Sequence, residues 1–188
     1  RDQSPPTKPA MAPKAPPPTK SGADSQMPCD SDEVDLVGTY VGDTDADGNY
    51  EGKGRLRYSD GELYEGRFKA NLYHGAGKLT YANGDVYEGD FVAAKLSGHG
   101  RYTWSSKGPQ SGAIYTGQWK EGEMDGVGKF EFGPPYAVGE TCGETYEGDF
   151  ELRARTGFGT YRWPSGDIFE GEFQEGIRQG RGYYLWNS

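Results

Sequence analysis

From about residue 36 onward the chain alternates between large apolar or glycine positions and charged ones. In the stretch Tyr64–Val86, Tyr64, Gly66 and Phe68 share one face of an extended strand while Glu65 and Arg67 point the other way, because successive strand side chains alternate. The return run repeats the scheme, with Gly75, Gly77, Leu79 and Tyr81 on one side and Ala76, Lys78 and Thr80 on the other. The six residues from Lys69 to His74 between them predict a turn, so the unit reads as a β-hairpin. Asp60-Gly61, Asn83-Gly84 and Ser165-Gly166 predict tight turns into the next hairpin.

The unit recurs. Its copies start at Leu36, Tyr64, Tyr87, Tyr115, Tyr146 and Phe169, at intervals of 28, 23, 28, 31 and 23 residues. Against a base period of 23 the extra residues fall at 41–51, inside the first unit's own turn, and at 105–114 and 133–145, between units. Extra residues confined to turns are what fixed strands permit, and these three segments are where partner specificity is expected. Three glycines in each unit predict ring seats on the apolar face, since a residue without Cβ lets a neighbouring ring lie against the backbone. Each ring buried this way contributes roughly 3–5 kcal/mol, at ~150–250 Å² and ~25 cal/mol per Å². The predicted fold is therefore all-β: an elongated single-layer antiparallel sheet of about six consecutive hairpins over residues 36–188.

Composition sets residues 1–35 apart. They hold eight of the twelve prolines, one of the 31 glycines and none of the aromatics, and Pro16-Pro17-Pro18 favours polyproline II over helix or central strand. This Pro-rich arm is expected to be disordered or laid on a partner. Arg1, Lys8, Lys14 and Lys20 against Asp2 make residues 1–22 basic, whereas the whole chain carries a formal charge of −9. That balance argues against nucleic acid and anionic membranes and suits a basic protein surface. Hydrophobic residues make up 33% of the chain, too few for a thick aliphatic core of the α/β-enzyme kind. Cys29 and Cys142 sit in unrelated contexts, and no apolar run approaches ~18 residues, so the chain is expected to be soluble and intracellular.

Little in the sequence suggests chemistry. Glu65, Glu88, Glu147 and Glu170 recur at one repeat position with Lys78 and Arg101 on the same face, which predicts cross-strand ion pairing rather than acid–base catalysis. His74 and His99 lack cysteine or carboxylate neighbours at metal spacing, and strings such as GHGRYTW contain neither a dinucleotide nor a phosphate-loop pattern. Asp43, Asp45, Asp47 and Gly48 match the opening of an EF-hand calcium loop, but its twelfth position is Gly54 and its flanks read as strands, leaving an acidic turn with at most weak affinity. No catalytic residue, cofactor or metal is expected. The remaining candidate is the aromatic face, where Phe91, Tyr102, Trp104, Tyr115, Trp119, Phe130, Phe132, Phe150, Tyr161 and Trp163 predict a strip for partner binding. At ~10 Å per hairpin six units span ~55–60 Å.

The pattern Tyr-x-Gly-x-aromatic, then Gly-x-Gly-x-apolar-x-aromatic, then a turn glycine, resembles the MORN repeat (membrane occupation and recognition nexus). It stands in YEGRF…HGAGKLTYANG, YEGDF…SGHGRYTW, YTGQW…DGVGKFEF, YEGDF…TGFGTYRWPSG and FEGEF…QGRGYYLW, with a looser copy in LVGTY…EGKGRLRYSDG. The resemblance implies a non-enzymatic scaffold or protein-interaction module, often of cytoskeletal assemblies. Its partners would be helices or peptides of a larger complex, another MORN-repeat protein or a second copy of the chain. Radial spoke head proteins of motile cilia are similar in their acidic lead-in and irregular first repeat, as at Asp30–Gly52 here, which implies a cytoplasmic, cytoskeletal setting in the axoneme of a cilium or flagellum. Two other roles of such repeats, phospholipid tethering and regulation of a larger enzyme, stay open.

Overall fold

The computed structural model describes residues 38–105, 111–133 and 143–187; the Pro-rich arm and the middle of the second and third extra segments lie outside them. Regular structure among the described residues is entirely strand. The strands are β1 (Gly38–Thr44), β2 (Tyr50–Tyr58), β3 (Leu63–Lys69), β4 (Leu72–Thr80), β5 (Val86–Val92), β6 (Lys95–Thr103), β7 (Ile114–Lys120), β8 (Glu123–Glu131), β9 (Thr145–Glu151), β10 (Ala154–Arg162), β11 (Ile168–Gln174) and β12 (Ile177–Leu185). They form one open antiparallel sheet whose strand order is the sequence order. Each pair β1/β2, β3/β4 and onward is a hairpin of one repeat unit, so the architecture is the predicted one.

Register explains the spacing of the motif. One row across the sheet is glycine on all twelve strands: Gly42, Gly54, Gly66, Gly77, Gly89, Gly100, Gly117, Gly128, Gly148, Gly159, Gly171 and Gly182 stand opposite one another in turn. The ring two residues before each outgoing glycine, tyrosine in the first five units and Phe169 in the last, lies over that row. Tyr64 reaches past Gly66 and Gly77, and its hydroxyl donates to the Arg67 carbonyl at 2.8 Å. Tyr87, Tyr115 and Tyr146 donate in the same way to the carbonyls of Asp90, Gln118 and Asp149.

The third glycine of each unit does something else. Gly75 has φ +61, and a Cβ there would face Arg67 rather than a ring. It marks a bulge in which two extra residues of β4, Gly75 and Ala76, are inserted between the pairs Gly66/Gly77 and Arg67/His74. Because the insertion is even, facing is kept on both sides of it. Side chains of Asp43, Asp90, Gln118 and Asp149 accept from the backbone N–H groups of Lys53, His99, Val127 and Phe158 at the equivalent bulges. Two of the three expected ring seats are therefore seats, and the third is a bulge.

Hairpin turns are tighter than the six residues expected. Lys69 pairs directly with Leu72, leaving Ala70 and Asn71 at φ 47 and 66. Ala93-Ala94, Glu121-Gly122, Leu152-Arg153 and Glu175-Gly176 likewise both have positive φ, as the type I′ turn requires. The second turn residue also ties units together: the N–H groups of Asn71, Ala94, Gly122, Arg153 and Gly176 donate to the carbonyls of Tyr50, Tyr73, Leu96, Met124 and Arg155 in the preceding hairpin. L-residues with side chains hold this conformation at a cost of about 1 kcal/mol or more each. Changing Ala93-Ala94 to Asn-Gly is therefore expected to stabilise the sheet by about 1 kcal/mol and raise Tm by ~2–4 °C in a thermal melt.

Candidate functional site: the aromatic face and its rim

Among the described residues the polar face offers no reactive constellation. Arg55, Glu65, Lys78, Glu88 and Arg101 occupy one row across β2 to β6, with alternating charge, and the row continues through Thr116, Lys129, Glu147, Thr160, Glu170 and Tyr183. Arg55 Nε lies 3.5 Å from Glu65 Oε1 in a half-exposed pair, the kind that adds little to stability. Neighbours in the row are never two carboxylates. In the acidic turn Asp45 Oδ1 accepts from the N–H groups of Asp47 and Asn49, and the Asn49 side chain and backbone hold its carboxyl below the usual range. Among the described residues no three His, Cys, Asp or Glu side chains are placed to hold a metal.

On the other face the ten candidate residues join one network of ring contacts. Tyr115 stands edge-on to Trp119 at 5.2 Å and to Phe150 at 5.1 Å, and Tyr87 bridges Phe91 at 5.1 Å and Trp119 at 5.4 Å. A second line runs from Tyr102 through Trp104, Phe130, Phe132 and Tyr161 to Trp163, with steps of 4.5, 5.4, 4.7, 5.7 and 4.7 Å. Offset and edge-on geometries at these distances are favourable beyond the area they bury.

Burial divides the ten. Phe91, Tyr102, Tyr115, Trp119, Phe130, Phe150 and Tyr161 are buried, their surfaces turned to one another. Trp104, Phe132 and Trp163 pack against that core but are only partly buried. These three open the turns between hairpins, where the N–H groups of Phe132 and Trp163 donate to the carbonyls of Glu144 and Asp167. Tyr58 and Tyr81 hold the same turn position and are buried, whereas Trp186 at the far end is 72% exposed. The accessible aromatic surface is thus a rim, with carboxylates at its turns. Asp85 accepts from the Tyr102 hydroxyl at 2.8 Å, and Glu144 accepts from the Tyr161 hydroxyl at 2.5 Å.

Two arginines escaped the sequence reading. Arg155 is 2% exposed, its guanidinium 5.5–6.0 Å from the centroids of Phe132, Tyr146, Tyr161 and Phe173, and its Nη2 donates to the Gly176 carbonyl at 2.6 Å. Arg178 is set among Trp163, Phe169 and Tyr184. They occupy the column held by Tyr73, Leu96 and Met124 in earlier hairpins, and aligning the units on that column would have exposed the break. Since the column accepts Met124, Arg155→Met is expected to leave stability within about 1 kcal/mol of the original or raise it, measured by urea unfolding.

Burial raises the pKa of Tyr64, Tyr73, Tyr81, Tyr87, Tyr102, Tyr115, Tyr146 and Tyr161, and pushes Tyr58 up to about 12. The unfolded chain releases these protons near pH 10 while the folded sheet retains them. Stability should hold below pH 10 and fall steeply above it, with the absorbance of these buried tyrosines as tyrosinate rising only as the strand signal in circular dichroism is lost.

The MORN repeat model matches residues 46–62, 64–86, 87–108, 115–134, 146–168 and 169–188. Among solved structures, the chain is similar to the SAS-4 (dCPAP) TCP domain in complex with a Proline Rich Motif of Ana2 (dSTIL) of Drosophila melanogaster, with a TM-score of 0.43 and 17% identity over 80% of this chain and 73% of that one. No curated protein matches it.

Proposed function

Because the chain belongs to the MORN-repeat family, we propose that it is a structural, non-enzymatic scaffold that docks helices or peptides of a larger assembly along the rim of its aromatic face. The observation that carries this reading is the partial exposure of Trp104, Phe132 and Trp163, one per hairpin, on a sheet whose other rings are mostly buried against each other. Rings presented at regular spacing on a rigid layer are suitable anchors for a partner. The setting we favour is a cytoskeletal assembly, with the radial spoke head of a ciliary or flagellar axoneme as the specific case. The acidic lead-in and irregular first repeat support it.

Replacing Trp104, Phe132 and Trp163 together with alanine should lower recovery of bound proteins in affinity purification at least tenfold while the far-ultraviolet circular dichroism spectrum is retained. Undiminished recovery would sink the rim as the docking surface. Membrane tethering is the competing role, and the charge of −9 counts against it. Pelleting of the chain with anionic vesicles at physiological salt would favour that role over a scaffold acting on proteins alone.

A further inference from the structure

We propose that the rim formed by Trp104, Phe132 and Trp163 is a polyproline II site, and that its resident occupant is the chain's own basic segment Pro5–Lys20. This inference rests on the reading of the rim as a docking surface and names what docks there.

The first argument is spacing. Successive rim rings are one hairpin apart, or two strand spacings, ~9.6 Å. The intermediate rings agree: Phe130 lies 5.4 Å from Trp104 and 4.7 Å from Phe132, and Tyr161 lies 5.7 Å from Phe132 and 4.7 Å from Trp163. A ligand crossing the strands must present a side chain to the rim at that interval. A β-strand returns to the same side every ~6.7 Å and an α-helix completes a turn every ~5.4 Å. Polyproline II, at three residues per turn and a rise of ~3.1 Å, returns every ~9.3 Å.

The segment is written in that period. Pro6, Pro9, Ala12, Ala15 and Pro18 share one side of such a helix, all small and apolar, as aromatic ridges accept. Lys8, Lys14 and Lys20 share an adjacent side, six residues apart, which is two turns or ~18.6 Å. Of the turn carboxylates, Asp85 is buried and already accepts from the Tyr102 hydroxyl and the Ser105 N–H. The turn opened by Trp104 closes at Ala113, so Glu144 and Asp167, one hairpin unit apart, are the ones that face the lysines. Residues 38–188 carry a net charge of −7 against +3 for the segment, so the sheet as a whole attracts it.

Reach allows the contact in one chain. Seventeen residues separate Lys20 from Gly38, at the start of β1. Seventeen residues can span at most ~56–61 Å when fully extended, and Trp104 follows β6, five strand spacings or ~24 Å from β1, well within that reach. Tethering of this kind gives an effective concentration on the order of 1 mM. A segment with a Kd of ~0.1 mM would then occupy the rim in about nine chains of ten.

The test uses the full chain with Cys29 and Cys142 changed to serine and a nitroxide on Ala10→Cys, a position on the side of the segment away from both contacts. The indole N–H signals of Trp104 and Trp163 are expected to lose at least half their intensity relative to the reduced label. Adding Lys8→Glu, Lys14→Glu and Lys20→Glu should restore them, with the strand spectrum unchanged. Intensities equal in the oxidised label with and without charge reversal would overturn the proposal. So would broadening that arises only when isotope-labelled chains without nitroxide are mixed with nitroxide-bearing ones, since the segment would then be docking on a second copy. Either result leaves the partner-recovery experiment on the Trp104, Phe132 and Trp163 alanine variant free to succeed or fail independently.

Discussion

Gly100→Val is expected to unfold the centre of the sheet. A Cβ at this position would lie 2.3 Å from the Tyr87 hydroxyl oxygen and 2.4 Å from two carbons of its ring. Tyr87 cannot move aside, because it is fully buried, edge-on to Phe91 and Trp119, with its hydroxyl bonded to the Asp90 carbonyl. Opposite, a Cβ on Gly89 would meet the Gly100 Cα at 2.5 Å, so backbone as well as ring blocks the space. The loss should exceed ~4 kcal/mol, above the usual range for overpacking because no rotamer relieves the contact. Gly61→Ala is the control: its φ is +95 but nothing lies within 4 Å of the added carbon, so only backbone strain of about 1–2 kcal/mol is expected. Equal unfolding midpoints in urea for the two variants would show that the glycine row is not a set of ring seats.

Trp119→Ala should cost about 3–5 kcal/mol, as deletion of a buried tryptophan usually does. Its ring packs against Tyr87, Tyr102 and Tyr115, and its indole N–H donates to the Gly100 carbonyl at 3.2 Å. Trp163→Ala, by contrast, removes a partly exposed ring at the rim and should change stability by only about 1 kcal/mol while reducing docking. The two tryptophans look alike in sequence, both aromatic positions of the same repeat. If Trp119→Ala kept the unfolding midpoint but abolished partner recovery, the division between core and rim would be wrong.

Much of this architecture is legible because the repeat places the same demand on the sequence six times. The alternation around Tyr64 gives the strand faces, the 23-residue period gives the hairpins, and the pairing of Tyr with Gly two residues later predicts rings seated on backbone. The turns were harder to read. Ala93-Ala94 and Leu152-Arg153 adopt a conformation that Asn-Gly normally announces, and they hold it because the N–H of the second residue closes a bond to the preceding hairpin, a tertiary cause invisible in a local window. Facing, likewise, says which rings share a surface but not which are covered by neighbours. Phe150 and Trp163 were therefore indistinguishable until the next hairpin's rings were in place. Arg155 is hidden for the opposite reason: a charge in a segment rich in charge draws no notice as a core residue, yet the flanking rings supply a seat for it.

The serial order of the strands bears on how the protein would carry load. Every strand bonds only to its sequence neighbours, so a pull between β1 and β12 runs across the ladder and along the hydrogen bonds rather than along the strands. Bonds loaded in that direction open one after another, like a zip, instead of resisting together in shear. Each hairpin brings nearly the same rings and bonds to its joint, so the steps would be similar in force and each would lengthen the chain by about one unit. Unloaded, such a sheet is a rigid layer; pulled from end to end it would yield in small increments, each leaving the remaining stack as the template on which it recloses.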